Sequence, residues 1–74
     1  MKRETRIPTY KRIWCKIRYY QQLNDVTNEN LAKYLNVSVR TLSSYDKDAK
    51  SLTLGNIDSF LYNAGLSLEQ LNTL

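Results

Sequence analysis

The side chains with chemistry to offer fall in one short run, residues 39–45, VRTLSSY. On a helix, Leu42 and Tyr45 lie three apart and point one way. Val39, Arg40, Ser43 and Ser44 are left on the other side. That second face carries a guanidinium with a fixed fork of donors, two hydroxyls that donate or accept, and one apolar side chain. These groups recognise a surface; they do not make or break bonds. Catalysis has little to work with elsewhere. The chain contains no histidine, which excludes Ser-His-Asp and Cys-His arrangements and any imidazole ligand. Its two glycines, Gly55 and Gly65, are too far apart for a phosphate-cradling loop. The carboxylates are scattered, and Cys15 has no neighbouring motif that would make it a nucleophile or a metal ligand. The expectation is a binding protein, not an enzyme, without cofactor, metal or small-molecule substrate.

Two short helices and a tight turn must position that face. They occupy residues 27–45, TNENLAKYLNVSVRTLSSY. Thr27 is a good N-cap, because its hydroxyl can accept from an unpaired N–H of the first turn. Asn30 stands where a capping box has Glu or Gln, so half of that signature is present. Leu31, Ala32 and Leu35 make one apolar stripe at helical spacing. Asn36 tolerates the left-handed backbone of a helix stop, and Ser38 can cap the second helix.

Residues 31–46, LAKYLNVSVRTLSSYD, resemble the helix-turn-helix of the Cro/repressor-like, xenobiotic-response-element family. The matching features are Leu31-Ala32, Asn36, Val37-Ser38, Leu42 and Tyr45-Asp46, in order and spacing. Residues 52–71, LTLGNIDSFLYNAGLSLEQL, are similar to the fourth and fifth helices of that family. The resemblance implies an all-α fold: a compact five-helix, lambda-repressor-like DNA-binding domain. It implies that the helix near residues 38–46 lies in the major groove of a double-stranded operator. Val39, Arg40 and Ser44 stand where relatives touch base edges, with Ser43 a weaker member of the set. Arg40 can pair with guanine O6 and N7, and Val39 can pack on a thymine methyl. Thr27 and Asn28 match the family's phosphate clamp at a helix N-terminus. Lys47, Lys50 and Arg18 can add phosphate contacts. Many members place a glycine after the aromatic and acid; this chain has Asp46 to Ser51 without one, so a longer helix or a different loop path is expected there. Small proteins of this class in phages and mobile elements can also act as antirepressors, turning the same helix on another repressor.

Charge divides the chain. It is +4 as a whole. Residues 1–24 hold Lys2, Arg3, Arg6, Lys11, Arg12, Lys16 and Arg18 against Glu4 alone. Residues 25–74 hold Lys33, Arg40, Lys47 and Lys50 against six carboxylates. DNA affinity comes largely from cations near phosphates, so the basic first part favours DNA. The slightly acidic second part favours a protein partner with a cationic face.

The remaining segments read as support. Residues 1–8 form a basic arm ahead of a single domain, residues 9–74, and the arm can follow a phosphate backbone. A first helix over residues 9–22 is expected, with Thr9 as its cap. Tyr10, Ile13, Trp14, Ile17 and Tyr20 make its core face; Lys11, Arg12, Cys15, Arg18 and Tyr19 make its solvated face. Asn24-Asp25 signals a turn, and Val26 packs ahead of the Thr27 cap. Thr53 caps a fourth helix running to about Asn63, whose apolar set is Leu54, Ile57, Phe60, Leu61 and Ala64. Gly65 stops it, and Ser67 caps a last helix with Leu68 and Leu71 inward. Leucines left exposed at this end would give a homodimer seam. One cysteine and no long apolar run fit a cytoplasmic protein without a membrane span.

Overall fold

Hydroxyl residues begin four of the five helices. In the computed structural model, which describes residues 7–74, Thr27, Ser38, Thr53 and Ser67 each accept from the backbone N–H three residues on. They set the starts of α2 (Asn28–Leu35), α3 (Val39–Lys47), α4 (Leu54–Ala64) and α5 (Leu68–Asn72). Ser67 completes a capping box, because the Gln70 side chain reaches back to its N–H at 2.9 Å. The first helix, α1 (Thr9–Leu23), starts differently from the expectation. Pro8, not Thr9, takes the capping position, and its carbonyl accepts from Lys11 and Arg12, each at 3.1 Å. Proline holds the extended entry backbone there, so Thr9 is already helical.

Left-handed residues stop three of the helices. Asp25, Asn36 and Gly65 have φ of 53°, 61° and 73° and follow α1, α2 and α4. At each, the next residue's N–H returns to a carbonyl of the last turn: Val26 to Gln21, Val37 to Ala32, Leu66 to Leu61, all near 3.0 Å. The two glycines therefore differ in kind. Gly65 needs its positive φ, whereas a Cβ on Gly55 would meet only Thr53 Oγ1, at 3.7 Å. Gly55→Ala is expected to stabilise the fold by about 0.4–1 kcal/mol through reduced unfolded-state freedom. Gly65→Ala is expected to destabilise it by about 1–2 kcal/mol, since a Cβ strains the left-handed backbone. Urea unfolding of the two variants checks both signs; the same sign at both positions would refute the distinction.

The end of α3 shows how the chain turns without glycine. The helix runs to Lys47, and Asp48 then adopts an extended backbone. The Asp48 carboxylate accepts from Lys50 N–H at 3.0 Å and caps a 3₁₀ turn over Ala49–Ser51. Ala49 is buried, and the turn packs against α1 and α3. A small side chain facing inward closes the turn without a glycine.

The core gathers Trp14 and Ile17 from α1, Leu31, Ala32 and Leu35 from α2, Leu42 and Tyr45 from α3, Ile57 and Phe60 from α4 and Leu71 from α5. Ala49 and Leu52 close it below the 3₁₀ turn. The Phe60 ring meets Tyr20 edge-on at 5.4 Å and Tyr34 at 6.3 Å. A polar stripe reinforces this packing. Asn56 and Asn63 donate through Nδ2, and Ser59 through Oγ, to the last carbonyls of α2, those of Leu35 and Tyr34, at 2.9–3.1 Å. Helix C-termini leave such carbonyls unpaired, so α4 serves as a side-chain cap for α2. Leu68 departs from the expectation. It is 46% exposed, while Leu71 is buried, because the five-residue α5 turns one leucine to the core and the other over the α1 surface.

Among the described residues the fold is all-helical, without strands. Among these residues, no helix is long and apolar enough to cross a membrane. Residues 1–6, most of the basic arm, lie outside the described residues.

Candidate functional site

α2 and α3 are joined by three residues, Asn36 to Ser38, and the capped start of α3 projects from that turn. Leu42 and Tyr45 face the core; Val39, Arg40, Ser43, Ser44 and Lys47 are all exposed. The side chains singled out in the sequence therefore share one solvent-facing surface. Tyr45 is fixed from below: its hydroxyl donates to Asn56 Oδ1 at 3.3 Å, and burial raises its pKa. Ser38 is tied to the first turn, its hydroxyl 2.9 Å from that of Thr41.

The expected phosphate-contacting residues divide into two groups. Thr27 and Asn28 are exposed at the start of α2, where Thr27 Oγ1 accepts from Asn30 N–H at 3.1 Å. Helix geometry leaves the Asn28 and Glu29 N–H groups without intrahelical acceptors and free to meet an anion. Lys47 and Lys50 are exposed on either side of Asp48. Arg18 is placed otherwise. Its Nε and Nη2 grip the two oxygens of Asp46 at 3.1 and 2.7 Å, a bidentate pair. Its Nη1 donates to Gln21 Oε1 and, at 3.0 Å, to Asn28 Oδ1. Trp14 Nε1 donates to Asp46 Oδ1 at 2.8 Å, and the Arg18 guanidinium lies 5.2 Å from the centroid of the Trp14 ring. Gln21 completes the network, donating to Asn28 Oδ1 at 2.9 Å and to the Val26 carbonyl at 3.0 Å.

This network was only partly visible in the sequence. Trp14 reads as core and is buried, but its N–H also serves Asp46. Gln21 carried no signal. The spacing of Trp14 and Arg18, four apart on α1, is what lets both reach one carboxylate at the end of α3. The consequence is electrostatic. Asp46 would repel phosphate if its charge stood alone, but Arg18 neutralises it. What remains along α3 and the 3₁₀ turn is Arg40, Lys47 and Lys50 against Asp48.

Hydrogen bonding from Arg18 holds the Asp46 carboxyl below the ordinary carboxylate range, against the opposing effect of its partial burial. The Trp14 N–H and the charge of Arg18 add to the lowering. A depressed folded pKa means stability that is present above the unfolded value, about 3.9, and is lost as pH falls through the folded one. Urea midpoints are therefore expected to fall more steeply below about pH 4 in the wild type than in Asp46→Asn. The difference is expected to be small, because Asp46 is 47% exposed. Parallel curves would show that the pair contributes nothing to acid sensitivity.

No group of His, Cys, Asp and Glu able to hold a metal ion is present among the described residues. Cys15 is exposed. Comparison with known families, with curated proteins and with solved structures finds no match to this chain.

Proposed function

We propose that this chain is a sequence-specific regulator of transcription, a Cro/repressor-like helix-turn-helix protein that lays α3 in the major groove of a double-stranded DNA operator. The observation that carries the reading is the exposed face of α3 together with the neutralisation of Asp46 by Arg18. Arg40 presents its fork to a guanine, Val39 offers apolar contact to a thymine methyl, and Ser43 and Ser44 reach neighbouring bases. The phosphate contacts come from Thr27, Asn28 and the first-turn N–H groups of α2 on one side, and from Lys47 and Lys50 on the other. Arg18 acts here as a positioning residue: it holds Asn28 and Asp46 and leaves phosphate binding to the free lysines. Such a protein works in the cytoplasm, where its operator lies.

A second reading keeps the same surface and changes the partner. Val39 is 42% exposed, and Glu29 and Asp48 flank the face as acids without an ion-pair partner among the described residues. An apolar centre with acidic flanks suits the cationic DNA-binding face of another repressor, which is how an antirepressor acts.

A salt titration of binding to labelled DNA from the protein's own gene neighbourhood, with Arg40→Ala alongside, separates the two. The regulator is expected to bind one fragment tightly and with a steep salt dependence. Arg40→Ala is expected to lose about 1–3 kcal/mol on that fragment and little on unrelated DNA. Weak binding, equal on all fragments and indifferent to Arg40, would sink the DNA reading and favour the protein partner.

A further inference from the structure

Two surfaces have no partner among the described residues, and they complement each other. The first is the outer stripe of α4. Leu54, Asp58 and Tyr62 recur every four residues and so lie along one side of the helix. Leu54 is 82% exposed and Tyr62 is 85% exposed, the two most exposed large apolar side chains among the described residues. Scattered exposed leucines are ordinary, but a leucine and a tyrosine bracketing one carboxylate make an acidic, apolar ridge.

The second surface is a groove between the first half of α1 and α5, with about 640 Å³ of open space. Ile7, Ile13 and Leu68 supply its apolar lining, and Lys11, Arg12 and Lys16 supply its charge. Among the described residues, no carboxylate side chain lines it. Lys16 is engaged, donating to the Leu74 carbonyl at 2.6 Å. Lys11 and Arg12 are exposed and, like Asp58, have no ion-pair partner among the described residues. A groove that is apolar within and cationic at its rim fits a helix that is apolar with an acid at its centre. This chain carries such a helix on its own surface.

We propose that the protein associates with itself by seating the α4 ridge of one copy in the α1–α5 groove of another. Leu54 and Tyr62 enter the apolar groove, and Asp58 meets Lys11 and Arg12. The contact joins two different surfaces, so it either recurs twice about a twofold axis or links copies head to tail. The exposed face of α3 takes no part, and the proposal does not rest on the DNA reading.

Sedimentation velocity from about 10 µM to about 1 mM tests it, a range suited to an interface of modest area. The wild type is expected to shift to higher mass within that range. Leu54→Ser with Tyr62→Ser is expected to weaken association at least about tenfold, with circular dichroism confirming an unchanged fold because both side chains are in solvent. Asp58→Lys alone, and Lys11→Glu with Arg12→Glu alone, are each expected to weaken it several-fold. Mixing the two charge-reversed proteins restores it, because each then carries the charge that the other's surface needs. A wild type that stays monomeric throughout, an association untouched by the α4 substitutions, or a mixture that fails to recover would each overturn the proposal.

Discussion

Phe60→Ala is expected to destabilise the protein by about 3–5 kcal/mol, a large share of what a chain of this size has to lose. Phe60 is fully buried at the centre of α4, and it joins α1 through Tyr20 and α2 through Tyr34. Truncation removes the transfer free energy of the ring and leaves a void that three helices cannot all close. It also removes two aromatic contacts that tyrosines on different helices make with the same ring. The control lies on the same helix: Tyr62, on the solvent side, is expected to change stability by less than about 0.5 kcal/mol when replaced by alanine. Chemical unfolding of the three proteins gives the comparison. Equal midpoints for the two variants would mean that α4 is not held by this ring.

Much of this architecture was legible because it is encoded locally. The caps at Thr27, Ser38, Thr53 and Ser67 and the stops at Asn36 and Gly65 each depend on a backbone group within a few residues, and each is found where the sequence placed it. The apolar faces of α1, α2 and α3 follow from helical period alone. What escaped was tertiary. The polar stripe of Asn56, Ser59 and Asn63 looks like solvated surface until α2 ends beside it. Leu68 carries the same apolar signal as Leu71, and only the shortness and placement of α5 separate them. Ala49 gave no sign of burial, because its role depends on Asp48 capping a 3₁₀ turn against α1.

The candidate site was legible by the same rule. Periodicity put Val39, Arg40, Ser43 and Ser44 on the side opposite Leu42 and Tyr45, and the structure exposes all four. Arg18 was the residue that spacing misplaced. A basic side chain on the outer half of α1 reads as free charge, yet its partner, Asp46, is twenty-eight positions away. An ion pair across that separation leaves no periodic trace. It also changes the argument about charge, since the acidity of residues 25–74 overstates the negative potential that an approaching anion would meet.

Trp14 is where the core and the candidate site meet, and its replacement separates the two. Trp14→Ala is expected to cost about 3–5 kcal/mol, as large aromatic truncations in a core do. The ring is buried, packs edge-on to Tyr45 with centroids 5.1 Å apart, and carries Arg18 over it. Trp14→Phe keeps most of the packing and removes the N–H that serves Asp46. Its cost is expected to be only about 1–2 kcal/mol, because the half-exposed carboxylate can take a water in place of the indole. A double-mutant cycle then isolates the polar link. Trp14→Phe and Asp46→Asn act on one hydrogen bond, so their combined cost is expected to fall short of the sum by about 0.5–1 kcal/mol. Strict additivity would mean that Trp14 acts on α3 through packing with Tyr45 alone. Non-additivity would instead make the indole and the guanidinium joint supports of Asp46, so that the packing of α1 fixes both the position of α3 and the charge it presents.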